Sequence, residues 1–393
     1  MGPLVQHEAA RDKLRQGVAL ALSGGGYRAM LFHVGAIIRL NEMGVLPKIR
    51  RISSVSGGSI TAALLGLRWK RLKFENNVAT NLDREFVQPL LTFAAHTIDR
   101  ICGTIGLLTQ GLLVSRALAH YYDKYLFCGA TLADLPADDE GPRFVICASN
   151  LNTGSLFRFS RPYIADWRLG RMKAYDFPLA RAVAASSAFP PLLSPTRVNL
   201  KQYELFGEDR PPGVDGEVDF DAVPKKLRQR AVLTDGGVYD NHGLQPVEDF
   251  ETLYVSDGGM PHDLSEACYF DWYTQMARVL GVIDNQVRSL RRKALFRAPE
   301  AIPGNTTVAP RQVVYWSVGT DPREYDELGG LPCSAADVLS LSRWQTRLKN
   351  PGGPARRALV NWGYAICDLS MRQWSGHTTS APNQFPLSGG LQH

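Results

Sequence analysis

The sequence predicts an α/β fold, with a mainly parallel central sheet flanked by helices. Residues 17–22 and 51–55 are short β-like runs, and each passes through a tight loop of serines and glycines directly into a helical run. Consecutive strand-to-helix units with almost no loop favour right-handed crossovers between parallel strands. A length of 393 residues with 45% hydrophobic content is enough to bury a large core.

The other elements follow in chain order. Apolar periodicity predicts helices over residues 28–43 and 60–69, and then a helical insertion over about 83–127 that lies over the sheet. Later in the chain we predict two strands within 143–160, a helix over 178–188 and a polar excursion over about 199–229. Strand-to-turn segments follow at 230–237 and 251–259, and then a long helix over 263–297 with a basic end. The last elements are a strand at 312–318 and two helices within 334–372. These elements predict a single domain over residues 15–375, followed by a tail over 376–393 whose loop composition predicts disorder.

Composition and charge narrow the class of protein. A net charge of +6 makes the surface mildly attractive to anions such as phospholipid headgroups, but no basic and aromatic motif accompanies it, so nucleic acid is not a predicted partner. Six cysteines show no zinc or redox spacing, which favours free thiols in a reducing compartment. The first twenty residues carry charges where a signal peptide needs an apolar core. The longest apolar stretch, at 101–114, is too short to span a bilayer and fits a core or interfacial helix.

The loop after the second strand contains a candidate nucleophile. A nucleophile elbow holds its serine on a strained strand-to-helix turn, where the residues two positions before and after must be small. Ser56 fits best, because Ser54 precedes it by two positions and Gly58 follows by two. It also lies where the helix dipole favours a developing negative charge. On this stretch alone, cap and turn roles for the serines are equally consistent with the sequence.

The loop after the first strand is rich in glycine. Gly24, Gly25 and Gly26 lack Cβ atoms, so their backbone N–H groups can converge on an anion, as in an oxyanion hole beside an elbow. The loop also satisfies the G-x-G-x-x-A dinucleotide pattern, but the second strand lacks the acid that would bind a ribose. It has no P-loop lysine either.

The base that would activate the serine has several candidates. Asp235 and Asp257 each end a predicted strand before two glycines, and either could equally be a turn residue. Three histidines lie downstream and could complete a Ser-Asp-His triad: His242, His262 and His377. The residues alone leave the choice between a dyad and a triad open.

Four motifs in order resemble those of the patatin-like lipid acyl hydrolases, relatives of the cytosolic phospholipases. They are SGGGYRA, SVSGG, AVAASSAFPPLLSP and TDGGVYDNHGLQPV, within about residues 18–247. The chain departs from the family pattern where Ser54 replaces the first glycine of the elbow and Ser23 replaces a frequent aspartate. The resemblance implies a patatin-like three-layer sandwich with a helical insertion.

The resemblance also implies the roles of the site residues. Ser56 would be the nucleophile and Asp235 the base of a Ser-Asp dyad without histidine, and Asp257 would be structural. The glycine loop 24–26 would form the oxyanion hole, and Arg28 would be the basic residue that closes that motif. Three further glycines would support the elbow and the base: Gly58, Gly236 and Gly237.

The predicted function is therefore that of a carboxylic ester hydrolase that cleaves acyl chains from membrane phospholipids. It would be cytoplasmic and peripheral at the inner membrane surface, with the basic surface and the 83–127 helices meeting the bilayer. No cofactor or metal is expected, because a Ser-Asp dyad needs none. Two alternatives are a His-assisted esterase or thioesterase on soluble acyl substrates, and an inactive lipid- or nucleotide-binding regulator on the same fold.

Overall fold

A computed structural model describes residues 14–99, 104, 113–191, 193–207, 223–262, 271–296, 311–376, 379–389 and 391. The strands are β1 (Arg15–Leu22), β2 (Ile49–Val55), β3 (Phe74–Glu75), β4 (Val78–Ala79), β5 (Arg143–Asn150), β6 (Ser155–Ser160), β7 (Tyr163–Asp166), β8 (Gly170–Lys173), β9 (Thr196–Asn199), β10 (Glu204–Gly207), β11 (Arg230–Asp235), β12 (Phe250–Asp257) and β13 (Gln312–Ser317). The α-helices are α1 (Gly26–Glu42), α2 (Gly57–Arg68), α3 (Gln88–Phe93), α4 (Val114–Tyr122), α5 (Leu179–Ser186), α6 (Lys225–Gln229), α7 (Gly237–Asp240), α8 (Trp272–Leu295), α9 (Ala335–Ser342) and α10 (Gly353–Trp374).

The main sheet has a parallel centre and an antiparallel wing. Its central strands run in the order β5-β2-β1-β12-β13, and every neighbouring pair among them is parallel. Strands β6, β7, β8 and β10 extend the sheet beyond β5 in antiparallel pairs. Strand β11 pairs antiparallel with both β5 and β9. The predicted mainly parallel central sheet is confirmed.

Apolar layers cover both faces of the sheet. Successive residues of a strand point to opposite faces, and β1 shows this clearly. Leu20 and Leu22 belong to the larger core, which they share with α1, α2 and α10, whereas Ala19 and Ala21 pack with Leu295 of α8 in a second core. The sheet is therefore the middle of three layers, as the predicted fold class requires.

Helices α1 and α10 pack closely on the larger core. Gly35 and Gly363 allow the contact: a Cβ at Gly35 would lie 1.9 Å from the Val360 carbonyl oxygen, and one at Gly363 would lie 1.9 Å from that of Phe32. Side chains at these positions would push the helices apart, so α1 is held firmly just behind the loop that precedes it.

The predicted insertion is helical where it is described. It contains the π-helical turns Asp83–Val87 and Asp123–Phe127 together with α3 and α4. Its large apolar residues Phe86, Leu90 and Phe93 are buried in the core. Most of the apolar stretch 101–114 lies outside the described residues. Where described, these helices bury these three side chains, whereas Tyr125 is 38% exposed, and the predicted contact of the insertion with a bilayer stays a prediction.

The C-terminal segment differs from the predicted disordered tail. The carbonyl of Ser380 accepts a hydrogen bond from Arg39 (2.8 Å). The backbone carbonyl of Leu387 accepts from the side-chain amide of Asn361 in α10 (2.8 Å), and its N–H donates to the oxygen of the same amide (3.2 Å). Phe385 and Leu387 also pack against the core. Loop composition has no helical or strand periodicity, so local sequence patterns do not indicate that the side chains of Arg39 and Asn361 form hydrogen bonds with the backbone of this segment. Residues 208–222 of the predicted polar excursion lie outside the described residues, and β10 and α6 border them.

Within the described ranges, no helix combines the length and the apolar character needed to cross a membrane.

Candidate active site

Ser56 lies on a strained turn between β2 and α2. Its φ and ψ of 50° and −117° are unfavourable for a residue with a side chain, and such strain is typical of nucleophile elbows. The Ser56 backbone N–H donates to Ser186 Oγ (2.9 Å), which helps to hold the turn. Glycines are needed after it, because a Cβ at Gly57 would lie 2.1 Å from the Gly26 carbonyl oxygen and one at Gly58 would lie 2.5 Å from that of Leu22.

Ser54 fits the place of the missing elbow glycine. It is fully buried, and its hydroxyl donates to the Val145 carbonyl (3.2 Å) while it accepts from the Ser59 hydroxyl (3.1 Å). The extra polar group is therefore hydrogen-bonded, so this substitution leaves no unpaired hydroxyl in the core.

The glycine loop lies directly beside Ser56. A Cβ at Gly24 would lie 2.5 Å from Asn241 Oδ1 and 3.2 Å from the Ser56 Cβ, so a side chain there would press on both residues. The Gly24 N–H donates to the Asn241 carbonyl (3.0 Å). Gly25 and Gly26 have φ values of 145° and 61° and form the N-cap and first residue of α1, where amides have no partner within the helix. The Gly24 amide is therefore already paired, whereas α1 itself supplies no partner to the amides of Gly25 and Gly26.

Arg28 supports the loop from behind. Its buried guanidinium donates to the carbonyls of Gly258 (2.9 Å) and Trp344 and to the Thr346 hydroxyl (3.1 Å). Burial lowers the Arg28 pKa to about 10, which still leaves the group charged at neutral pH. These bonds connect the start of α1 to the end of β12 and to the segment before α10. The Ser23 hydroxyl also connects the loop to the end of β12, because it accepts a hydrogen bond from the Gly258 N–H (2.8 Å).

Asp235 lies close to Ser56 because β2 and β11 pair with consecutive parts of β5. Val55, the last residue of β2, pairs with Cys147, and Asp235, the last residue of β11, pairs with the next residue, Ala148. The two strands therefore end beside the same point of β5. A Cβ at Gly236 would lie 2.4 Å from the Cys147 carbonyl oxygen, so the turn after Asp235 also requires glycine.

The Asp235 carboxyl is buried and electrostatically unusual. Burial raises its pKa to about 7, although hydrogen bonding from the Gly237 amide (2.8 Å, to Oδ1) and from the Ser56 side chain acts in the opposite direction. The contact with Ser56 is loose, since Oδ2 is buried and has no donor in regular hydrogen-bond geometry. Catalytic hydrogen bonds are commonly long before substrate binds. A carboxyl with a pKa near neutrality can accept a proton from a hydroxyl and return it.

Ser186, at the end of α5, joins the two motifs, and sequence reasoning missed it. Its Oγ accepts from the Ser56 N–H and donates to the Cys147 carbonyl (2.6 Å), while its carbonyl accepts from the Gly236 N–H (3.1 Å). The signal was present in the AVAASSAFPP motif, but a serine in a helix gives no indication of such long-range partners.

The other candidate acid, Asp257, belongs to a separate cluster. It accepts hydrogen bonds from Tyr315 Oη (2.6 Å) and the Gly259 N–H (2.9 Å), and it pairs with Arg288 (3.0 Å) and His242 Nε2 (3.1 Å). Its pKa lies well below the usual value, because the neighbouring Arg288 and His242 outweigh burial. Four partners stabilise this carboxylate in its ionised form, and its low pKa makes it a weak proton acceptor.

The predicted histidines do not contact the nucleophile where they are described. Neither His242 nor His262 hydrogen-bonds to Ser56, and His377 lies outside the described residues. His33 is fully buried between Ser256 Oγ (2.8 Å) and the Ser23 carbonyl (2.9 Å), and burial lowers its pKa to about 4. Among the described residues, no group of three His, Cys, Asp or Glu could hold a metal ion.

The fold and this site together define a class of protein. A strained serine at the end of a parallel strand, beside a glycine loop and a buried carboxyl, is the arrangement of α/β proteins with a nucleophile elbow. The patatin-like phospholipase family model matches residues 20–247, more than half of the chain, and the chain belongs to that family. The matched range includes the glycine loop, Ser56 and Asp235.

Solved structures that are similar to this chain include two of the same human protein and one from Legionella pneumophila. Human GIVD cytosolic phospholipase A2 is 14% identical over 71% of this chain, with a TM-score of 0.41. Its complex with methyl gamma-linolenyl fluorophosphonate is 13% identical over 93%, with a TM-score of 0.47. VipD from Legionella pneumophila is 16% identical over 93%, with a TM-score of 0.37. The alignments cover 48%, 58% and 67% of those chains, so this chain spans about half the length of the first human structure. No curated protein sequence is significantly similar to this chain.

Proposed function

We propose that this protein hydrolyses acyl esters of phospholipids, with Ser56 as the nucleophile and Asp235 as the general base. The observation that carries the proposal is the placement of a strained serine, at φ 50°, beside a buried carboxyl whose pKa is raised to about 7. Membership of the patatin-like phospholipase family supports a lipid substrate.

The proposed reaction needs only groups of this chain and water. Asp235 takes the Ser56 proton as the Ser56 Oγ attacks the ester carbonyl. The carbonyl oxygen gains negative charge, which the amides of Gly25 and Gly26 and the N-terminus of α2 stabilise. Asp235 then protonates the departing lysophospholipid oxygen as the acyl–oxygen bond breaks. Water attacks the acyl-enzyme with Asp235 again as base, and this releases the fatty acid and restores Ser56.

The proposal includes a location. A chain with a net charge of +6 is attracted to anionic lipid surfaces, and we propose that the enzyme acts from the cytoplasm as a peripheral protein at the inner membrane surface. Nucleic acid is not part of the proposal, because no recognition motif accompanies the basic residues.

A fluorophosphonate probe and product analysis test this proposal. We expect the probe to label the wild type and the matched control Ser53→Ala, whose hydroxyl is paired with the Cys147 thiol (3.6 Å), but not Ser56→Ala. Mass spectrometry should detect fatty acid and lysophospholipid released from a mixed lipid extract by the wild type alone. Labelling of Ser56→Ala at another residue would contradict the assignment.

The base is tested separately. Asp235→Asn should abolish hydrolysis, whereas His242→Gln should retain it once thermal unfolding shows that the variant is folded. Activity kept in Asp235→Asn and lost in His242→Gln would establish the histidine-assisted alternative instead.

A further inference from the structure

Helix α8 exposes the apolar face that a surface helix normally buries. Met276, Val279, Leu280, Ile283 and Leu290 follow helical spacing, and each is between 50% and 58% exposed. Such a stripe usually packs against the core. Here it lies in solvent, together with Trp272, which is 74% exposed at the start of the helix.

Polar contacts near its C-terminal end hold α8 on the protein. Arg288 pairs with Asp257 (3.0 Å) and donates to the Met260 carbonyl (2.8 Å), and Arg291 lies 3.6 Å from Asp240. Leu295 is the apolar residue of this helix that enters a core cluster. These contacts lie in the last third of the helix, and within the described ranges no residue of the apolar stripe belongs to a core cluster.

This stripe borders the candidate active site. Helix α7, which follows Asp235 directly, contacts α8, and Asp284 of α8 lies close enough to Asp235 to raise the pKa of its carboxyl. Val238 of α7 is more than half exposed, and so is Phe189, which follows the carbonyl that accepts the Asp235 N–H. Exposed apolar side chains therefore lie near the carboxyl end of β11. We call this set, the α8 stripe with Val238 and Phe189, the apolar rim.

Charge on α8 identifies the kind of partner. Arg292 and Lys293 are exposed beyond the apolar stripe, on a chain that is itself basic. An apolar stripe followed by cations, with a tryptophan at one end, matches a phospholipid surface, where apolar side chains enter the acyl region and basic ones meet phosphate groups. Residues 272–283 include a single charged side chain, Arg278, so this part of the helix can enter the boundary between headgroups and acyl chains.

We propose that the apolar rim is the membrane-docking surface of this protein, with α8 lying in the headgroup layer of a phospholipid bilayer that contains anionic lipid. The inference rests on the proposed function, since it assigns the surface through which the candidate site would meet its lipid. It also moves the predicted bilayer contact from the insertion at 83–127 to α8.

Vesicle co-sedimentation tests the proposal independently of catalysis. The parent protein is Ser56→Ala, which leaves the lipid intact, and the variant adds Met276→Ser, Leu280→Ser and Ile283→Ser. On mixed phosphatidylcholine–phosphatidylglycerol vesicles we expect the variant to bind about tenfold more weakly or worse. The matched control is Leu339→Ser, which removes an apolar side chain of similar exposure (49%) from α9 and should bind like the parent. Arg292→Gln with Lys293→Gln should weaken binding to the mixed vesicles and not to pure phosphatidylcholine.

The outcomes separate the two proposals. If the triple variant binds the mixed vesicles as tightly as the parent, or if the parent binds no vesicles, the docking surface is wrong. Light scattering that shows a parent dimer which the triple variant converts to a monomer would assign the rim to a second copy of the chain and also overturn the proposal. If the parent binds and the variant does not, while the wild type releases no fatty acid, the docking surface stands and the proposed function fails.

Discussion

Replacing Asp235 by asparagine is expected to stabilise the protein while it removes the activity. The Asp235 side chain is buried, so its ionised form loses hydration that it would keep in the unfolded chain. Asparagine has the same shape and keeps an oxygen that can accept the Gly237 N–H. The substitution therefore removes the buried charge and retains the hydrogen bond.

The size of this gain follows from the pKa. The folded pKa of about 7 lies above the ordinary value of 3.8, so between these two pH values the folded state retains a proton that the unfolded state has released. Each unit of difference corresponds to about 1.4 kcal/mol, which gives a penalty of up to about 4 kcal/mol for ionised Asp235 above pH 7. The penalty shrinks as the pH falls through this range and vanishes below the unfolded pKa, where both states hold the proton.

Urea unfolding at about pH 8 and about pH 5 measures this difference. The variant should exceed the wild type in free energy of unfolding by as much as about 4 kcal/mol at the higher pH and by clearly less at the lower one. Asp139→Asn, at an exposed aspartate, should change little at either pH. A variant that is less stable at the higher pH, or equally shifted at both, would refute the idea that Asp235 is a destabilised carboxylate.

Three further outcomes are expected. The kcat/KM for a soluble ester should fall about tenfold per pH unit below about pH 7, as Asp235 becomes protonated, and a profile that is flat there would exclude Asp235 as the base. Ser186→Ala removes the acceptor of the Ser56 N–H and should lower kcat about tenfold or more. The control Ser187→Ala removes a buried hydroxyl that has no partner among the described residues, and it should leave kcat nearly unchanged. Gly24→Ala should retain its circular dichroism spectrum and lose fluorophosphonate labelling, because the new methyl group would lie 3.2 Å from the Ser56 Cβ; labelling at the wild-type rate would contradict the tight contact.

Local sequence signals predict the parts of the site that depend on local backbone geometry. The glycines around Ser56 and before Gly26 are required by close backbone contacts and by positive φ values, and those requirements appear directly in the sequence. For the same reason the strand-to-helix units at β1 and β2 are readable without a structure. The choice between Asp235 and Asp257 needed the family resemblance, since both end a strand before two glycines.

Other features depend on which distant residues meet, and local patterns carry no such information. The bonds of Ser186 to Ser56 and Gly236, and the backbone bond from Gly24 to Asn241, join segments far apart in the chain. The exposure of the α8 stripe is similar, because an amphipathic pattern looks the same whether its apolar face is covered or open.

The meeting of β2 and β11 on one strand has a consequence for how this protein can vary. The positions of Ser56 and Asp235 are both measured along β5, whose residues Cys147 and Ala148 face the ends of the two strands. Chain added or removed between Asn199 and Arg230, after Ser186 and β9, changes none of these pairings, so this region can change in length at little cost to the chemistry. A slip of β11 by a single residue would turn the carboxyl to the opposite face of the sheet. Tolerance to insertion and deletion should therefore change abruptly at residue 230.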